Sequence, residues 1–170
     1  MKKIALIVVS VIAVLAVLAI GGFYMLFRHG DPLKHAPDEA IVGVNAPNTS
    51  IYKLSGEKPL FLNIWATWCP PCVGEMPAIE KMYKKYGDRI HFAAISMDSD
   101  PAVVPDFVSD HGFTFPIYTG DVDKLSKDYS IDVIPRSILI GPDGVVIEDH
   151  FGAMSEEKME QFLLKALSPK

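Results

Sequence analysis

The chain has 170 residues, a formal net charge of −5, 49% hydrophobic residues and two cysteines. That length suits one globular domain with a short extension. Residues 29–170 keep 13 basic and 21 acidic groups, near −8, so this part offers no electrostatic footprint for nucleic acid.

Ile4 to Phe27 carry no charge, and 24 such residues, at about 1.5 Å each, are long enough to cross a hydrocarbon layer of about 30 Å. The run is longer than the roughly 7 to 15 apolar residues of a cleaved signal peptide, and "LAIGG" fits an Ala-x-Ala cleavage site poorly, so an uncleaved signal anchor is expected. Lys2 and Lys3 ahead of it favour a cytoplasmic N-terminus, although Arg28 weakens the contrast. The expected division is 1–28 for the stub and anchor, 29–40 for a linker containing two prolines, and 41–170 for the domain.

Within the domain, "KPLFLNIW" and "RIHFAAISM" are continuous apolar runs of the kind that form buried strands. The stretch between them predicts a helix over 70–86 with Met76, Ile79, Tyr83 and Tyr86 on one face, hence a parallel crossover. "SDPAVVPDFVSDHGF" predicts a second helix, with Asp100 as cap, Pro101 at its first position, and Val104, Phe107, Val108 and His111 at helical spacing. "FTFPIYT" reads as a short edge strand, because Pro116 could not serve a central ladder. "DVDKLSKDY" suits a short helix with Val122, Leu125 and Tyr129 on one side, "RSILIGPDGVVIEDHF" a hairpin, and Ser155–Leu167 a capped closing helix. The expected class is a mixed α/β sandwich.

Both cysteines lie in "IWATWCPPCVGEMP". A structural disulfide closing so small a loop gains little chain entropy. Zinc would need two further ligands from five scattered histidines, and copper would need a histidine near in space, so metal is the minor alternative. A redox-active dithiol explains the placement. Cys69 would follow a strand and open a helix, where backbone N–H groups favour a thiolate. Cys72, one turn in, would resolve a mixed disulfide formed at Cys69.

"WATWCPPCVGEMP" resembles the active-site signature of the membrane-anchored TlpA/ResA-type proteins, and the likeness extends over nearly all of 40–168 and the anchor. It implies a thioredoxin fold with an added N-terminal β-hairpin, for which "TSIYKL" is the candidate, and a central α/β insertion at Asp100–Phe115. It implies catalysis by Cys69 as nucleophile, Cys72 as resolving thiol and Glu75 as acid/base near Cys72. A cis peptide is implied at Ile134–Pro135, beside the sulfurs. Trp68, Pro70, Pro71, Ile134, Pro135 and Arg136 are the implied substrate-binding residues. For Arg136 a plain surface position and a charge tuning the thiolate or the partner stand as equal alternatives. Asn63 departs from thioredoxin, which has a titrating Asp there, so proton transfer would fall to Glu75 or water. Pro77 would bend the helix, and Trp65 would be core.

The resemblance further implies an extracytoplasmic enzyme of the bacterial cell membrane with no metal and no cofactor beyond the Cys69–Cys72 pair. It would reduce protein disulfides, with apocytochrome c as one such substrate, using electrons from a membrane donor. Cys-Pro-Pro-Cys has no N–H on either intervening residue, which weakens thiolate stabilisation and points toward a reductant. Two rivals are a thiol peroxidase, disfavoured by Ala66 where that class has Thr, and a copper-delivery module.

Overall fold

The computed structural model describes residues 33–168. The expected anchor at 1–28 lies outside the described residues, and so do residues 29–32. Among the described residues no helix is long and apolar enough to cross a membrane.

The centre of the molecule is β3 (Leu60–Trp65), whose six residues are all buried, as its unbroken apolar run requires. It pairs in parallel with β4 (His91–Ser96), from Leu60 opposite His91 to Trp65 opposite Ser96. On its other side it pairs antiparallel with β6 (Arg136–Ile140), which continues into the hairpin partner β7 (Val146–Phe151). Beyond β4 stand β5 (Ile117–Thr119), β1 (Ala40–Gly43) and β2 (Thr49–Ser50), giving the order β2-β1-β5-β4-β3-β6-β7.

The expectation that β5 lies at the sheet edge is corrected, since it is flanked by β4 and β1. Pro116 ends just ahead of the strand and gives only its carbonyl, to the N–H of Ala94 at 3.0 Å. A proline at the entry of a strand costs no ladder bond, so it does not force that strand outward.

Among the described residues five helices cover the sheet: α1 (Ile51–Ser55), α2 (Pro70–Tyr86), α3 (Val103–His111), α4 (Val122–Asp128) and α5 (Glu156–Leu167). Helix α2 has the bounds read from the sequence and runs through Pro77, where the missing N–H costs one intrahelical bond. Its buried face is Cys72, Glu75, Met76, Ile79, Met82 and Tyr86. Met82 therefore takes the place expected of Tyr83, whose ring instead meets Phe92 edge-on at 5.5 Å. Phe61 of β3 packs against Phe92 at 5.3 Å and against Phe162 of α5 at 6.1 Å, which ties the sheet to the helix pair α2/α5. Each such buried side chain contributes about 1.5–3 kcal/mol through removal from water. Helix α3 begins two residues later than expected, because Asp100 closes a turn onto the N–H of Ala102 before the helix starts. Helix α5 begins as expected, with Ser155 accepting from Lys158 N.

The N-terminal part departs most from expectation. The hairpin exists as β1/β2, but most of "TSIYKL" forms α1, capped by Ser50. Gly43 is required at its turn, since a Cβ there would meet the Ala46 carbonyl oxygen at 1.6 Å. Residues 33–39, expected as linker, are bound to the domain. Ala36 donates to Gly144, the Tyr129 hydroxyl donates to the Pro37 carbonyl at 2.6 Å, and buried Glu39 pairs with Lys124 at 2.6 Å. The strand-helix-strand unit β3-α2-β4, the returning hairpin β6/β7 and the closing α5 make a thioredoxin fold, into which α3 and β5 are inserted.

Candidate active site

Where β3 ends, the chain must turn into α2, and Cys69 stands at the turn as the residue capping the helix. Its N–H donates to the Ala66 carbonyl at 3.2 Å, and Val73 donates to its carbonyl at 3.1 Å. Pro70 and Pro71 fill the first two helical positions, where a fixed φ suits the helix. Neither has an N–H, so Cys72 supplies the remaining first-turn donor that can face the Cys69 sulfur. The two sulfurs form a disulfide, with Cα atoms 5.3 Å apart. Cys69 is 5% exposed and Cys72 1%, so an incoming thiolate or disulfide reaches Cys69 first.

One turn beyond Cys72, on the same buried face, Glu75 is 3% exposed. Its Oε1 accepts from Asn63 Nδ2 at 2.9 Å and its Oε2 from the Met154 N–H at 3.0 Å. Burial pushes its carboxyl above the ordinary glutamate range, and these two hydrogen bonds offset part of that rise. Asn63 also donates to the Ser137 hydroxyl at 3.1 Å, its neighbour across β3/β6, while its Oδ1 is buried with no partner among the described residues. The amide is thus able to donate to a carboxylate and, turned over, to accept from a carboxylic acid. A carboxyl with a raised affinity for protons, one helical turn from a thiol, can take up and return the proton of that thiol.

The second strand at the site is β6, which the chain enters through Pro135. The Ile134–Pro135 peptide is cis, as expected, and the Pro135 carbonyl accepts from Gly152 N at 2.8 Å. Gly152 has φ +91°, which only glycine adopts without strain, and this lets the turn after β7 send one N–H to Pro135 and the next but one, from Met154, to Glu75.

The surface reading of Arg136 is corrected, because the side chain is buried. It is 3% exposed, its Nε and Nη2 donate to the two oxygens of Asp149 at 2.9 and 2.6 Å, and its Nη1 donates to the carbonyls of Tyr129 and Ser130. The guanidinium also lies 4.6 Å from the centre of the Phe151 ring. A bidentate pair of this kind satisfies the charge locally, so Arg136 braces β6/β7 and the segment before Pro135.

Trp68, 66% exposed, borders an open cavity of about 170 Å³ that Met97, Val122, Ile131, Asp132, Val133 and Ile134 complete. Pro70 and Pro71 are exposed, Pro135 is buried, and Trp65 is core. Cys69, Cys72 and Glu75 thus share one helix terminus, with Trp68 and Ile134 on the cavity next to them. Sequence reasoning missed Met154, which acts through a backbone N–H and carries no side-chain signal. It also missed Asp98, which accepts from the backbone and hydroxyl of Thr67.

Residues 30–165 match the Redoxin family. The thiol-disulfide oxidoreductase ResA of Bacillus thuringiensis (strain Al Hakam) is 31% identical over 97% of this chain and 98% of its own. The thioredoxin-like protein YneN of Bacillus subtilis (strain 168) is 35% identical over 76% of this chain and 77% of its own. Among solved structures, a thiol:disulfide interchange protein of the thioredoxin family from Chlorobium tepidum TLS superposes with a TM-score of 0.69 at 26% identity, covering 82% of this chain and all of that one. A cysteine pair at the mouth of α2, a cis-proline at the entry of β6 and relatives named for this chemistry lead to one conclusion: the chain belongs to the Redoxin family and is a ResA-like thiol-disulfide oxidoreductase of thioredoxin fold.

Proposed function

We propose that this oxidoreductase works as a reductase of protein disulfides on the outer side of a bacterial cell membrane, held there by residues 1–28. The observation that carries the direction is the Pro70-Pro71 pair at the first two positions of α2. The fewer N–H groups that face Cys69, the less its thiolate is stabilised, and the more readily the dithiol gives up electrons. In the forward reaction the Cys69 thiolate attacks a substrate disulfide, forming a mixed disulfide and releasing one substrate thiolate. Cys72 then loses its proton to Glu75 and attacks the Cys69 sulfur, which releases the second substrate thiolate and leaves the Cys69–Cys72 disulfide. Two electrons pass to the substrate, whose thiolates take up the protons.

Oxidising surroundings cannot restore the dithiol, so a membrane donor relays electrons to it from cytoplasmic thiols. The haem-attachment cysteine pair of apocytochrome c is the proposed example of a substrate. The test is the reduction potential of the full-length protein in detergent, equilibrated against dithiothreitol and glutathione with tryptophan fluorescence as readout. A value near or below about −270 mV is expected for a dedicated reductant. A value between about −120 and −180 mV would make it an oxidase or isomerase and overturn the direction.

A further inference from the structure

We propose that Asp98 is a positioning residue for Cys69: its buried carboxylate fixes the turn that carries the nucleophile and, by its charge, disfavours the Cys69 thiolate and with it the reduced pair. The inference deepens the reductase reading and rests on it for its purpose, although not for its test.

Asp98 follows β4 and is 6% exposed. Its Oδ1 accepts from Thr67 Oγ1 at 2.6 Å, and its Oδ2 accepts from Thr67 N at 3.0 Å and from Ser96 Oγ at 2.6 Å. Thr67 stands two residues before Cys69, in the turn closed by the Cys69 N–H on the Ala66 carbonyl. The Met97 N–H, donating to the Trp65 carbonyl at 2.7 Å, binds the two strand ends together beneath that turn. The carboxylate thus sets the path of Thr67-Trp68-Cys69 through both backbone and side chain.

Among the described residues no Lys, Arg or His forms an ion pair with Asp98. Three hydrogen bonds hold the ion in place, but they do not cancel its charge as a cation would. A negative group held on the turn that carries a thiol, two residues from it, makes formation of a second negative charge there less favourable. The other charged groups around the site do not reverse this. Glu75 on α2 is itself acidic, Arg136 on β6 is matched by Asp149, and Asp100 and Asp132 are exposed acids.

The test is Asp98→Asn in the full-length protein in detergent, which keeps the shape and removes the charge. The reduced protein is alkylated with iodoacetamide across pH, with Cys72→Ser in both backgrounds so that only Cys69 reacts. Separately, the Cys69–Cys72 pair is equilibrated with glutathione at about pH 9, where two glutathione thiols give their electrons and protons to one protein disulfide and become one glutathione disulfide. Expected in Asp98→Asn is an alkylation profile moved to lower pH, with the neutral-pH rate up about tenfold, and a dithiol-to-disulfide ratio up by a similar factor. Tenfold in that ratio is 29.6 mV.

An unchanged profile and ratio with only a lower melting temperature would reduce Asp98 to a brace and overturn the proposal. Should Asp98→Asn fail to fold, Ser96→Ala decides, because it leaves the charge with one donor fewer. Its ratio should move about twofold toward the disulfide, and no shift, or a shift toward the dithiol, overturns the proposal. These are differences from the wild type. A high absolute potential would therefore sink the reductase reading and leave the Asp98 result standing.

Discussion

Helix α2 carries two glutamates, Glu75 and Glu80, five residues apart, whose carboxyls are driven in opposite directions. Both are drawn upward by burial. At Glu75 burial prevails over one side-chain and one backbone donor. At Glu80 burial is overcome by Thr114, which gives its N–H at 2.8 Å and its hydroxyl at 2.6 Å, by the Phe115 N–H at 3.3 Å, and by Lys84 at 3.0 Å, so the carboxyl is held below its usual range. Glu80 is a clip between α2 and the inserted segment, permanently ionised at neutral pH. Glu75 has no cationic partner among the described residues, and what it loses in charge stability it gains as a site that can exchange a proton. The same side chain on one helix is made structural or chemical by the number and charge of its donors.

The largest expected effect separates them by activity. Glu75→Gln should slow disulfide reduction by about a hundredfold or more, through the step in which Cys72 must lose its proton, while Glu80→Ala should stay within about twofold of wild type. Single-turnover fluorescence with a disulfide peptide reads both. If Glu75→Gln were as fast as wild type, proton transfer at Cys72 would have to be assigned to water.

Next, stability reverses the ranking. Glu80→Ala should cost about 2 kcal/mol in urea unfolding at neutral pH, because two backbone N–H groups and a hydroxyl of the inserted loop lose their acceptor. Glu75→Gln should cost nothing there and gain on wild type, since it removes a charge that burial disfavours.

The smallest and sharpest contrast is in pH. The raised carboxyl of Glu75 adds stability below about pH 4.5 that is lost as pH rises through its folded-state value, so the advantage of Glu75→Gln should grow over that range. The lowered carboxyl of Glu80 adds stability above about pH 4.5 that is lost as pH falls through its folded-state value, so the deficit of Glu80→Gln should be full at neutral pH and shrink in acid. Urea unfolding at about pH 4 and pH 7.5 gives both differences, and parallel curves would remove the distinction between the two groups.

What could be read from the sequence was local. Helix α2 announced itself through prolines at its start and an apolar face, and β3 through an uninterrupted apolar run. Cys69, Cys72 and Glu75 fall on one helix end, so spacing alone places them together. The features that escaped depend on partners far along the chain. Whether β5 is an edge is decided by β1, more than seventy residues earlier. Arg136 is buried only because Asp149 and Phe151 on the hairpin partner meet it. Met154 reaches Glu75 across 79 positions through its backbone, which no residue type could signal. In the sequence Asn63 shows only as an acid replaced, and its value as a partner for Glu75 appears only with both side chains in place.

The bound segment before β1 also decides where a soluble fragment of this protein can begin. A cut at residue 41, the boundary that composition suggests, would strip away Pro37 and Glu39. The buried Tyr129 hydroxyl would lose its acceptor and Lys124 its closest carboxylate, at the end of the helix that leads toward Pro135. A fragment starting at Leu33 keeps these fastenings, so trimming for crystallisation or assay should stop there.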